Sequence, residues 1–140
     1  MIVADTNIIS YLLLPTERSD SADAIYQADP DWVAPLLWKS EFRSVLALYL
    51  RKQIITLDKA LLLQESAESM MADSEFELPS PQVLALINQS SCSAYDCEFV
   101  ALAQHLNIPL VTEDKKILRE FPSTAINIDH FLSRNPTKPD

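Results

Sequence analysis

The sequence contains no glycine. Loops that cradle phosphate need a backbone that approaches the ligand without a side chain. The Walker loop, the dinucleotide fingerprint and the kinase phosphate loop are therefore all excluded. An EF-hand loop loses its turn residue by the same absence. Positive charge is also scarce: 11 Lys and Arg stand against 20 Asp and Glu, a formal net charge of −9. Such a chain does not hold polyanions or acidic membranes by bulk attraction, and a phosphate-bearing substrate would need a local device such as a metal. Cysteine is limited to Cys92 and Cys97, which make no Cys-x-x-Cys pattern. With His105 and His130 they do not amount to a zinc-ligand set, and they read as reduced, packed thiols. No apolar run approaches the ~20 residues of a membrane span. The opening Met1-Ile-Val-Ala-Asp5 lacks the basic region and cleavage site of a secretory leader. The expectation is a soluble cytoplasmic protein.

What is present suffices for one hydrophobic core. The chain has 140 residues, 48% of them hydrophobic, which is the size of a single domain. We expect that domain over residues 1–134, with a loose tail at 135–140 that holds two prolines, Pro136 and Pro139. Short apolar runs at 2–4, 32–34, 76–78, 109–112 and 125–128 predict strands. Between them the spacing predicts helices at 8–14, 22–28, 36–52, 57–71, 82–88, 93–106 and 115–121, with one further turn at 129–133. Pro35 is expected to open the third helix. Thr56 and Ser93 are expected N-caps, and Asn107 is expected to end a helix in the left-handed conformation usually left to glycine. Strands alternating with amphipathic helices predict an α/β three-layer sandwich, a central parallel sheet of about five short strands with helices on both faces.

Four acids stand out within that pattern. Asp5 ends the first strand, and ligands of open α/β sheets bind beyond the carboxyl ends of strands. It can equally cap the next helix. Glu41 shares a helical stripe with Leu37, Trp38, Val45 and Leu48, so it needs a salt bridge or a metal to offset its burial. Asp96 closes Ser93-Ala-Tyr-Asp96, which resembles a capping box. Asp114 follows the strand at 109–112, again at a carboxyl end, and Glu113 beside it leaves open which acid faces inward. At about 5 Å and an effective dielectric of 20, two carboxylates repel by roughly 3 kcal/mol. A cluster of them persists only if protons or cations relieve it, and Mg²⁺ or Mn²⁺ suits all-oxygen ligands.

These residues, in this order, resemble the PIN-domain family. Ile2-Val-Ala-Asp5-Thr-Asn-Ile8 is similar to its opening strand and first acid. Trp38-Lys-Ser-Glu41-Phe-Arg-Ser-Val-Leu46 resembles the second acidic motif, with Ser44 at a position that is often polar. Ser93-Ala-Tyr-Asp96-Cys-Glu-Phe-Val-Ala-Leu-Ala103 resembles the third, and Pro109-Leu-Val-Thr112-Glu-Asp114-Lys-Lys-Ile-Leu118 the fourth. The likeness runs from Met1 to about Phe131 and is nearest to the VapC-type toxins of toxin–antitoxin pairs. The resemblance implies a Mg²⁺- or Mn²⁺-dependent endoribonuclease. Asp5, Glu41 and Asp96 would form its primary metal site, and Asp114 a second or water-mediated position. Asn7 and Thr112 would orient ligands. Lys39, Arg43, Lys115 and Lys116 flank the motifs and could hold neighbouring phosphates of the RNA, although ordinary solvated helix charges look the same.

The resemblance further implies a homodimer and a small antitoxin partner. Leu12, Leu13, Leu14 and the helix at 57–63 could build such surfaces or belong to the core. Two other readings remain. An acidic-site phosphatase or phosphoacceptor domain would start with a strand and an Asp-x-Asp pair, but Asn7 stands at the second position. A catalytically silent PIN-like binding module would keep the fold without turnover.

Overall fold

The computed structural model describes residues 1–136; residues 137–140, most of the expected tail, lie outside the described residues. Five strands form the sheet: β1 (Ile2–Ala4), β2 (Trp32–Pro35), β3 (Glu75–Phe76), β4 (Leu110–Val111) and β5 (Ala125–Ile126). The helices are α1 (Thr6–Leu13), α2 (Ser19–Ala28), α3 (Trp38–Arg51), α4 (Leu57–Met71), α5 (Ser80–Asn88), α6 (Ala94–Leu106), α7 (Lys115–Glu120) and α8 (Ile128–Arg134). The strand order is β3-β2-β1-β4-β5, and every pairing is parallel. In register, Val3 stands opposite both Val33 and Leu110. Parallel strands covered on both faces are apolar throughout, and β1, β2 and β4 are buried at every position.

The direction of the crossovers sets the layers. From β1 the chain steps to β2 and then β3, so right-handed connections place α1 to α4 on one face. It then returns past β1 to β4, which reverses the direction and puts α5 and α6 on the other. Accordingly, α6 packs against β2, β1 and β4 and carries α5, whereas α1 packs with α2, α3 and α4. Helix α6 buries Cys97, Phe99, Val100, Ala101, Leu102 and Ala103, as befits a helix covered on opposite sides. The reversal leaves a crevice at the carboxyl ends of β1 and β4, the topological switch point where ligands of such sheets bind.

Helix ends follow local chemistry. Thr56 and Ser93 cap α4 and α6 by accepting the backbone N–H groups of Lys59 and Asp96. Asn107 ends α6 at φ 54°, and Gln53 takes φ 58° just after α3. Glycine would normally serve at both positions. Several expected boundaries move. Pro35 ends β2 and does not open a helix; the ladder to β3 is made by the N–H groups of Ala34 and Leu36, which donate to the Ser74 and Phe76 carbonyls at 3.0 Å, so that side of the strand needs no donor from proline. The third strand is β3 at Glu75–Phe76, starting one residue and ending two residues earlier than expected. The second helix starts at Ser19, where the Ser19 hydroxyl donates to the Leu14 carbonyl. Ile128 leaves the last strand because the Asn127 side chain caps α8, which extends the expected turn to Arg134.

The leucine surfaces divide as well. Leu14 is buried, and Leu12 and Leu13 pack against the core. On α4, Leu63 is buried, while Leu57, Leu61 and Leu62 are 62%, 59% and 61% exposed. Only the α4 residues among these present an open apolar face. No helix among the described residues is long and apolar enough to cross a membrane.

Candidate active site

Asp5 is the first residue beyond β1, and its backbone N–H continues the ladder to the Val111 carbonyl at 3.1 Å. Its side chain serves two purposes. Oδ1 accepts the Thr6 N–H at 2.7 Å, which caps α1. Oδ2 accepts the Thr112 hydroxyl at 2.6 Å, from just past β4. Burial pushes the Asp5 carboxyl up to about 7. The hydrogen bonds from Thr112 and Thr6 pull it back, and the negative charges of Glu41 and Asp96 push it further up.

Glu41 projects from the first turn of α3. Its Oε1 accepts the Thr6 hydroxyl at 2.8 Å. No lysine or arginine pairs with it among the described residues, so the salt-bridge explanation does not apply. Burial raises its pKa above the ordinary value; Thr6 opposes that, and Asp96 and Glu98 add to it. Asp96 lies in the first turn of α6, where its N–H donates to the Ser93 hydroxyl at 3.0 Å. Its pKa is also raised, by burial and then by the charge of Asp114, against hydrogen bonding from Ser93 and the charge of Lys116.

The neighbouring acids after β4 separate cleanly. Asp114 Oδ1 caps α7 by accepting the N–H groups of Lys116 and Ile117 at 2.9 and 3.0 Å. The Asp114 N–H donates to the Thr112 hydroxyl at 3.0 Å. Glu113 turns away: its Oε1 accepts the Ile128 N–H at 2.9 Å and Arg18 Nη2 at 3.1 Å. Thr112, fully buried, therefore ties Asp5 to the backbone that carries Asp114.

Asp5, Glu41, Asp96 and Asp114 line one cavity of about 590 Å³, together with Thr6, Asn7, Ser40, Ser44, Leu37, Val45 and Tyr95. Four carboxylates line it, without a cationic side chain among the described residues. Asn7 Oδ1 is buried and has no hydrogen-bond partner, an oxygen short of a donor or a cation. The donor set is all oxygen, which suits a hard divalent cation. As they stand, no three His, Cys, Asp or Glu side chains among the described residues are close enough to cage an ion. Of the four acids, Asp5 is held at both carboxylate oxygens, and Glu41 and Asp114 at one. Cys92 and Cys97 are free and buried.

None of the four basic residues considered for phosphate contacts lines the cavity. Lys39 Nζ lies 3.7 Å from Glu68 and 3.8 Å from Glu75, between α4 and β3. Arg43, Lys115 and Lys116 are exposed, and the charge of Lys116 reaches Asp96. Reading the sequence did not anticipate the Thr6–Glu41 hydrogen bond, nor Ser40, Leu37, Val45 and Tyr95 in the lining. The spacing of Leu37, Glu41 and Val45, four residues apart on one helix, was the available signal for two of them.

The model of the family described as PIN domain matches residues 2–122. Ribonuclease VapC3 from Pyrobaculum aerophilum is 27% identical over 135 aligned residues, covering 87% of this chain and 95% of that protein. The crystal structure of FitAcB from Neisseria gonorrhoeae superposes with a TM-score of 0.72 at 21% identity, covering 93% of this chain and 99% of the other. A chain of a toxin–antitoxin complex from Klebsiella pneumoniae gives 0.68 at 18% identity, with coverage of 91% and 98%. At these identities the two structures share the fold.

Proposed function

The chain belongs to the PIN-domain family, and from that premise we propose that it is a divalent-metal-dependent ribonuclease, the toxin of a toxin–antitoxin pair. The observation that carries the reading is the meeting of Asp5, Glu41, Asp96 and Asp114 in one cavity at the switch point of the sheet. The 27% identity to a ribonuclease over nearly the whole chain supports it.

Asp5, Glu41 and Asp96 would hold a Mg²⁺ or Mn²⁺ ion, with Asp114 at a second or water-mediated position. A bound divalent cation acidifies a water ligand, neutralises the phosphodiester and stabilises the leaving oxygen. The chain's own residues do the positioning. Thr112 and the Thr6 N–H fix both oxygens of Asp5, and the Thr6 hydroxyl fixes Glu41. Asn7 lines the same cavity, and its buried Oδ1 has no hydrogen-bond partner. Hydrolysis would leave a 5′-phosphate and a 3′-hydroxyl.

An antitoxin and a second copy of the chain are part of the same reading. The structural neighbours include a toxin–antitoxin complex, and Leu57, Leu61 and Leu62 form an exposed apolar strip on α4.

RNA incubated with Mg²⁺ or Mn²⁺ tests the proposal. Wild type should cut, and Asp5→Asn and Asp96→Asn should lose at least about a hundredfold in rate, as losses of electrostatic catalytic groups do. Mapping the ends would give the product chemistry. Intact RNA under every metal condition would leave a binding module, and phosphate release from small phosphomonoesters with RNA intact would leave a phosphatase.

A further inference from the structure

The cavity is not acidic throughout. Its α3 side alternates: Leu37, Glu41 and Val45 share one stripe, and Ser40 and Ser44 run beside it. Tyr95, at the start of α6, lines the same cavity. It is nevertheless 61% exposed, and no aromatic ring packs on it among the described residues. A large aromatic side chain so exposed has no role in the core. It sits one residue before Asp96, so whatever lies against its ring lies beside the acids.

The site also lacks what most phosphodiester-binding sites use. Among the described residues no lysine or arginine lines it, Lys39 is engaged by Glu68 and Glu75, and the whole chain carries −9. Phosphate neutralisation by protein cations normally supplies much of the affinity for nucleic acid. An aromatic face and apolar side chains supply affinity of another kind, because every base has a flat face that stacks irrespective of charge.

We propose that Tyr95, with Leu37 and Val45, forms a nucleobase-stacking wall that holds the nucleotide next to the scissile phosphate, so that base contact supplies the affinity that protein cations do not. This rests on the ribonuclease reading for the identity of the substrate, and Tyr95 is a positioning residue in it. The wall takes the face of a base that is not sandwiched by its neighbours, so paired bases are poor occupants.

The test measures binding and turnover separately. A short fluorescent single-stranded RNA, and copies with one abasic ribose scanned along the strand, are titrated by anisotropy with Mn²⁺ into Asp96→Asn to suppress cleavage. Tyr95→Ala and Tyr95→Phe are made in that background and in wild type. We expect Tyr95→Ala to weaken binding about tenfold, within the range of one lost base stack. Tyr95→Phe should stay within about twofold, and one abasic position should reproduce the loss in the Tyr95 protein only. In wild type, Tyr95→Ala should raise KM more than it lowers kcat, with Tm unchanged. Raising salt from about 50 to 200 mM should change Kd by no more than about threefold, the slope of a single phosphate contact. Equal binding by Tyr95→Ala, no abasic effect, a steep salt dependence or no measurable binding each overturns the wall. Binding through Tyr95 with no cleavage by wild type would sustain the wall and overturn the nuclease reading.

Discussion

The Thr112 hydroxyl donates to Asp5 Oδ2 at 2.6 Å, joining residues 107 apart in the chain. The Thr112 hydroxyl oxygen in turn accepts the Asp114 N–H at 3.0 Å. One buried threonine thus fixes the first acid and the loop of the fourth.

Replacing that hydroxyl isolates its effect. Thr112→Val keeps the volume but leaves a buried carboxylate short of a donor. We predict a loss of about 1–3 kcal/mol in stability where Asp5 is ionised. We also predict Mn²⁺ affinity weakened about 10–100-fold, as for other groups that orient metal ligands. Denaturant melts and Mn²⁺ titration would measure the two; unchanged Mn²⁺ affinity would confine Thr112 to a packing role.

Asp5 makes a pH prediction with a definite sign. Its folded pKa of about 7 lies above the ordinary 3.8. The folded state therefore binds more protons than the unfolded state between those values, and stability falls as pH rises through that window. Metal-free protein should carry this group's full contribution below about pH 4 and lose it progressively by pH 7 to 8. Asp5→Asn should flatten the slope. Chelated melts across the pH range decide it, and a stability that rises over the window in wild type would reject the assignment.

Crowding of like charge predicts the response of the other acids. Glu41 and Asp96 are both raised by burial and by neighbouring carboxylates. Glu41→Gln and Asp96→Asn should therefore leave the metal-free protein as stable as wild type or more so, and should shrink the rise in Tm on adding Mn²⁺. A large loss of metal-free stability in both would mean that their hydrogen bonds to Thr6 and Ser93 matter more than the repulsion.

Glu113 and Asp114 should behave oppositely despite being adjacent. Glu113→Ala removes the acceptor for the Ile128 N–H and the partner of Arg18. It should lower stability by about 1–2 kcal/mol and leave the Mn²⁺ response intact. Asp114→Asn keeps an oxygen to cap α7, so it should melt near wild type while weakening the Mn²⁺ response. Parallel thermal shifts with and without Mn²⁺ compare them directly.

Much of the architecture was legible because it is periodic and local. Alternating apolar runs and helical stripes announced the layered parallel sheet, and Ser93, Thr56 and Asn107 announced helix ends through their own side-chain chemistry. Asp5 and Asp114 drew notice as acids at strand ends, and Glu41 as an acid on an apolar stripe. What a residue meets across the fold left no such trace. The Thr6 hydroxyl on Glu41 spans 35 positions, and the engagement of Lys39 by Glu68 and Glu75 joins α3 to α4 and β3. The division of labour between Glu113 and Asp114 depends on where α8 begins, and Asn127 sets that from outside either motif. Pro35 misled because a proline that can open a helix can also end a buried strand when the residues on either side of it, here Ala34 and Leu36, make the ladder.

The strand order has a consequence for synthesis on the ribosome. β1 is made first, yet its partner β4 comes after β2, β3 and six helices. A nascent chain that has already paired β1 with β2, and β2 with β3, exposes one bare flank of β1 and carries an Asp5 whose partner Thr112 has not been translated. Asp114 is absent from it as well. The cleft is thus among the last features to be assembled, and a partly translated chain holds an incomplete set of acids while it is still tethered beside its own messenger.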